Sequence, residues 1–155
     1  MTYSVFTYNG EREILKLHLN ILNPFVDKFI IIEANQTFTG HPKILYFFRD
    51  QRYFKQFWSK IDYFVVRDWE DEELWRQAKD SLNTKGAHHW QREFYIKESI
   101  HKALKSSGVQ DNDTLLIGDV DEIIDPNTHL TSETPIKAHL RLYAYYLDNL
   151  SNEDF

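Results

Sequence analysis

The chain of 155 residues carries a formal net charge of −6, a pI near 5.6, 42% hydrophobic and 27% charged residues, and no cysteine. That length suits one domain, burying about two-thirds of the surface its unfolded chain exposes. The acidic balance excludes a nucleic-acid coat, which needs a basic face; the lack of cysteine excludes disulfides and thiolate-held zinc; and no apolar run reaches the roughly 18 residues of a membrane-spanning helix.

The first residues lack the basic start and apolar stretch of a signal peptide, so a cytoplasmic chain is expected. Tyr3 to Thr7 forms the first expected strand, broken by Tyr8-Asn9-Gly10. From Glu11 onward, Ile14, Leu15, Leu17, His18, Leu19, Ile21 and Leu22 give a helix with a broad apolar face, stopped by Asn23-Pro24. His18, lying among apolar positions, is expected to be a hydrogen-bonded core histidine rather than a ligand. Val26 to Glu33 holds the most apolar run, Phe29-Ile30-Ile31-Ile32, and reads as a central strand buried on both faces. Strand, helix and buried strand make a βαβ unit. Its strands end at Tyr8-Asn9 and at Glu33 and Asn35, on the carboxyl edge where open α/β sheets bind ligands.

A polar loop follows through Gly40 and Lys43. An irregular stretch and a short helix through Tyr53, Phe57 and Trp58 then lead to a third strand, Ile61 to Val66. Arg67 to Gly86 is long for a plain connection and predicts a functional loop or a short extra helix. One long helix is expected over Ala87 to Ser106, ended at Gly108. Ile136 to Leu147 alternates apolar and polar residues, the pattern of a half-exposed edge strand.

The chemistry concentrates between these last two elements. Leu115-Leu116-Ile117 reads as a buried strand rising from a polar turn, and it runs into Gly118-Asp119-Val120-Asp121-Glu122. On an extended chain residues i and i+2 share a face, which places the Asp119 and Asp121 Cα atoms roughly 6.6 Å apart. Two carboxylates so placed can close on one hard divalent cation, whose oxygen ligands stand about 2.0–2.6 Å away. A calcium loop of the EF-hand type is excluded, because its glycine position falls on Ile124 and its closing glutamate on Leu130. The structural alternative is that the two acids cap a turn or a following helix.

Three stretches together carry a family resemblance. They are Tyr8-Asn9-Gly10-Glu11, then Glu33-Ala34-Asn35 with Thr37-Phe38-Thr39-Gly40-His41-Pro42-Lys43, then Trp90-Gln91-Arg92-Glu93 leading to Gly118-Asp119-Val120-Asp121. Over residues 3 to 150 the chain resembles the N-terminal half of the family 17 glycosyltransferases, the β-1,4-mannosyl-glycoprotein 4-β-N-acetylglucosaminyltransferase family. The resemblance implies a GT-A-like α/β fold: a mostly parallel, Rossmann-like sheet flanked by helices, forming one nucleotide-sugar-binding domain over residues 1–155 without the C-terminal acceptor-binding part. It implies transfer of a sugar from a nucleotide-sugar donor, UDP-GlcNAc by family analogy, to a glycan or other acceptor, assisted by Mn²⁺ or Mg²⁺. On that basis Asp119 and Asp121 are the metal motif, with Asp121 the direct ligand and Asp119 facing the ribose or the metal. Tyr8, Asn9 and Glu33 line the nucleotide pocket, Asn35 and Lys43 belong to the loop beside it, and Arg92 meets a phosphate. Lys97 stands where the family more often has arginine. Two other functions fit the same acids: a non-catalytic nucleotide- or sugar-binding α/β module, and a metal-dependent nucleotidyltransferase.

Overall fold

The computed structural model describes residues 1–82, 88–128, 135–138 and 140. Four of the apolar runs become parallel strands: β1 Thr2–Thr7, β2 Lys28–Ala34, β3 Ile61–Val66 and β4 Thr114–Asp119. They lie side by side in the order β3-β2-β1-β4. The chain builds outward from β1 through β2 to β3, then crosses back to place β4 on the other side of β1. The point where the order reverses, between β1 and β4, is where open α/β sheets leave a crevice at their carboxyl ends. Flanked by helices on both faces, this parallel sheet is a GT-A-like Rossmann-type α/β fold.

The alternation of side chains along each strand decides what the two faces hold. Phe6 and Tyr8 from the β1 side, with Phe29 and Ile31 of β2, pack under α1 (Arg12–Leu22) and α2 (Tyr46–Asp50) in one core. Tyr3 and Val5, with Ile30, Ile32 and Ala34, pack on the opposite face against α3 (Glu72–Leu82), α4 (His88–Glu98) and α5 (Ile100–Ser106). Every residue of β2 from Phe29 to Ala34 is buried, as a strand covered on both faces requires. Each large apolar side chain so buried contributes roughly 1.5–3 kcal/mol.

Several expectations are revised. Residues Gln51–Lys60, which follow α2, form a 3-10 helix, longer than such helices usually run. Its three-residue period brings Phe54 and Phe57 to one face, where Phe54 stacks on Phe47 with ring centroids 5.7 Å apart. The stretch Arg67 to Gly86 does contain an extra helix, α3. The long helix is two helices meeting at Ser99, whose hydroxyl donates to the Ile96 carbonyl at 2.7 Å, the kind of contact that bends helices. β4 is less buried than its apolar run suggests: among the described residues β1 is its one strand partner, and Ile117 is 56% exposed. The edge strand expected over Ile136 to Leu147 falls mostly outside the described residues, and residues 136–138 and 140 lie in no regular element.

Candidate active site

The carboxyl ends of β1 and β4 open into a cleft of about 260 Å³, just under the usual size range of small-molecule sites. Register explains who meets there. Thr7 and Asp119 are paired across β1 and β4, and both belong to the strand face that looks toward α4. The Thr7 hydroxyl donates to Asp119 Oδ1 at 3.2 Å. From α4, Lys97 Nζ stands 3.6 Å from Asp119 Oδ2 and 3.2 Å from Glu93 Oε1. Burial works to lower the Lys97 pKa, but Asp119 and Glu93 outweigh it, so the ammonium is held above its ordinary value and stays charged. A lysine thus offsets the negative charge of Asp119.

Asp121 also lines the cleft, but not by strand alternation. β4 ends at Asp119, and Val120 and Asp121 form a turn closed by the Glu122 N–H to the Asp119 carbonyl at 3.0 Å. Val120 is buried in the α1-side core, which leaves Asp121 exposed at the mouth. The capping duty falls on Glu122, whose Oε2 accepts the Asp119 N–H at 2.8 Å. Neither aspartate side chain is consumed by the turn. A Cβ on Gly118 would stand 2.6 Å from that Glu122 oxygen. Gly118→Ala is therefore expected to displace Glu122 and lower stability by about 1 kcal/mol, the worth of one such hydrogen bond; urea unfolding of the variant measures it.

Beneath the turn lies His18, 2% exposed. Its Nδ1 is 2.8 Å from the Val120 carbonyl and its Nε2 is 2.8 Å from Ser4 Oγ. Burial pushes the imidazole below its ordinary pKa, against the Val120 hydrogen bond and the Asp121 charge, so the ring is neutral at pH 7. The expected core histidine is what the structure contains.

At the β1 end, Tyr8, Asn9 and Glu11 line the cleft with Lys43. The turn needs Gly10: φ is +110°, and a Cβ would meet the Tyr46 ring at 3.0 Å. The buried Tyr8 hydroxyl finds no hydrogen-bond partner among the described residues. Burial, with Asp50 and Glu33 nearby, pushes its pKa well above the usual phenol value.

Three residues expected at the donor site, Glu33, Asn35 and Arg92, stand behind the cleft wall. Glu33 has the parity of Phe29 and Ile31, so it points under α2. There, fully buried, it accepts from Lys43 Nζ (2.9 Å), Tyr46 N (2.7 Å), Phe47 N (3.0 Å) and Tyr63 Oη (2.8 Å). It supplies the cap that α2 lacks at Leu45. Asn35 Oδ1 accepts from Trp69 Nε1 at 2.9 Å. Arg92 lies over the rings of Trp69 and Trp75, at 5.2 and 5.6 Å, and donates to Gln36 Oε1 at 2.7 Å. It clamps the loop that carries Gln36 and Phe38 into the cleft. Thr7, Gln36 and Phe38 were not anticipated as lining residues: Thr7 needs the β1–β4 register, and the other two need the loop clamp.

The family model for glycosyltransferase family 17 matches residues 2–151. The chain belongs to glycosyltransferase family 17. No curated protein and no solved structure matches it. As a family 17 chain it is a glycosyltransferase-type enzyme, and the cleft between β1 and β4 is its candidate active site. Among the described residues no group of three or more His, Asp or Glu side chains converges as a metal site, and no helix is long and apolar enough to cross a membrane. The donor set at the β4 end is two carboxylates, of which Asp121 is the less engaged. Carboxylate oxygens are the hard ligands that a small divalent cation takes.

Proposed function

We propose that this cleft binds a nucleoside diphosphate sugar, with a UDP-sugar as donor, and transfers the sugar to an acceptor hydroxyl on a glycan or similar molecule. The observation that carries the reading is the meeting of Asp119, Asp121 and Lys97 at the switch point of a parallel sheet. Asp121, with Asp119 beside it, would hold Mn²⁺ or Mg²⁺ against the diphosphate. When bound, the cation supplies Lewis-acid stabilisation of the charge that grows on the leaving diphosphate. Lys97, already charged and facing the same space, adds a second positive group for those oxygens. Tyr8 and Asn9 face the nucleoside. Lys43 is fixed at the wall by Glu33. Asn35 and Arg92 act on the donor indirectly, by holding the loop that carries Gln36 and Phe38.

The test is to incubate the chain with Mn²⁺ and a panel of nucleotide sugars, including UDP-GlcNAc, and read released UDP, with nucleoside triphosphates and pyrophosphate release as the parallel arm. UDP release supports transferase chemistry. Pyrophosphate release alone would assign the acids to nucleotidyl transfer. Metal-dependent binding with no release would favour the non-catalytic module, a reading helped by the balance Lys97 already gives Asp119.

Lys97→Met is expected to weaken UDP binding about tenfold, the low end for a charge-assisted hydrogen bond at a partly exposed group. Uridine binding should not change. Equal losses for both ligands, read by calorimetry, would remove Lys97 from the diphosphate.

A further inference from the structure

We infer that His18 is a positioning residue for the turn that carries the two acids: its Nδ1–H, bonded to the Val120 carbonyl, fixes the direction in which Asp121 leaves β4. The inference rests on the proposed metal role of Asp119 and Asp121, and it concerns a residue on a different element, α1, whose hydrogen bonds go to Ser4 and Val120.

Val120 is the residue between the acids, and its carbonyl belongs to the peptide plane that continues into Asp121. Holding that oxygen therefore orients the Asp121 backbone. The Val120 side chain is anchored in the α1-side core. The carbonyl is anchored by His18 at 2.8 Å. With the side chain and carbonyl both fixed, the short turn has little freedom left, and the Glu122 contacts close its far end.

The tautomer follows from the partners. A carbonyl can only accept, so the proton sits on Nδ1. In the neutral ring Nε2 is then an acceptor, and the Ser4 hydroxyl donates to it at 2.8 Å. Ser4 on β1 thereby completes the hydrogen bonding of the α1 ring that holds the turn after β4. The ring is otherwise walled by Phe6, with centroids 4.4 Å apart, and Phe29 at 6.3 Å. Leu15, Leu19 and Leu22 occupy the rest of the buried face of α1. An apolar side chain would fill this position without burying polar atoms. Histidine adds the two directed hydrogen bonds. Outer-shell groups that orient metal ligands commonly alter metal affinity about 10–100-fold when removed.

The experiment compares wild type with His18→Leu, His18→Gln and His18→Asn. Leucine fills the site with no hydrogen bond. The glutamine amide reaches the level of Nε2, toward Ser4, and the asparagine amide the level of Nδ1, toward Val120. Mn²⁺ affinity in the presence of UDP is read from the free Mn²⁺ signal by electron paramagnetic resonance, and folding by circular dichroism and urea midpoint. The expected result is folded variants in which leucine and glutamine weaken Mn²⁺ binding about tenfold or more, while asparagine stays close to wild type. Folded leucine and glutamine variants with wild-type affinity would overturn the positioning role. So would affinity losses in all three that track lost stability, because the histidine would then be structural alone. Wild type that takes up no Mn²⁺ with UDP would instead sink the donor-site reading itself, and this inference with it.

Discussion

Glu33→Ala is expected to destabilise the fold by about 3–5 kcal/mol, the usual cost of breaking a buried ion pair by removing one partner. The carboxylate is fully buried and accepts four donors, from Lys43, Tyr46, Phe47 and Tyr63. Its loss strands the Lys43 ammonium, only 6% exposed, beside a void. It also leaves two backbone N–H groups at the start of α2 without partners. Tyr63 loses its acceptor too; burial and the Glu33 carboxylate currently push that hydroxyl well above the ordinary phenol range. Against a typical total of about 5–15 kcal/mol, the loss leaves the chain near its unfolding threshold. A pairwise Glu33→Leu/Lys43→Met replacement should recover part of it by removing the stranded charge. Urea unfolding curves decide the matter: a midpoint for Glu33→Ala close to wild type would show that the carboxylate is not the support the geometry describes.

The second large effect separates the two aspartates. Asp121→Asn is expected to weaken metal-dependent UDP binding by at least about a hundredfold, the upper end of what even an outer-shell partner of a metal contributes. Asp119→Asn should cost less. The Asp119 carboxylate is already shared between Thr7 and Lys97, and an amide oxygen can still accept from Thr7. The change also frees Lys97 toward the phosphates. Neither substitution should alter stability by more than a few tenths of a kcal/mol, as both side chains are substantially exposed. Calorimetry with Mn²⁺ on the two variants gives the order, and an Asp119 loss exceeding the Asp121 loss would reverse the assigned roles.

Much of the sheet was legible because short apolar runs bounded by turn residues leave few alternatives, and β3 matches its expected bounds. The acids at the end of β4 were legible as a pair, but the reason they share the cleft was not. Strand alternation was expected to align them; both line the cleft through a turn closed by the Glu122 N–H to the Asp119 carbonyl. Glu33 shows the same limit from the other side. Its parity with Phe29 and Ile31 could be read from the chain, and it places Glu33 on the face away from α4. That this face is where α2 begins, needing a cap, depends on how residues 35–45 fold back. Lys97 was legible only as standing where the family more often has arginine; its pairing with Glu93 and its approach to Asp119 come from the structure, the second depending on how α4 packs against the sheet. At Ser99, where α4 and α5 meet, the hydroxyl bonds the third carbonyl before it, and serines tolerated in helices look the same in a sequence.

The most direct test of the donor site is a calorimetric titration of the chain with UDP and with UDP-GlcNAc, each in Mn²⁺ and again in EDTA. The expected result is binding of both ligands in Mn²⁺ that falls about tenfold or more when the metal is removed, as it should if the acids reach the diphosphate through a cation. Affinities unchanged by EDTA, or no binding in either buffer, would contradict a metal-assisted nucleotide-sugar site at the β1–β4 cleft.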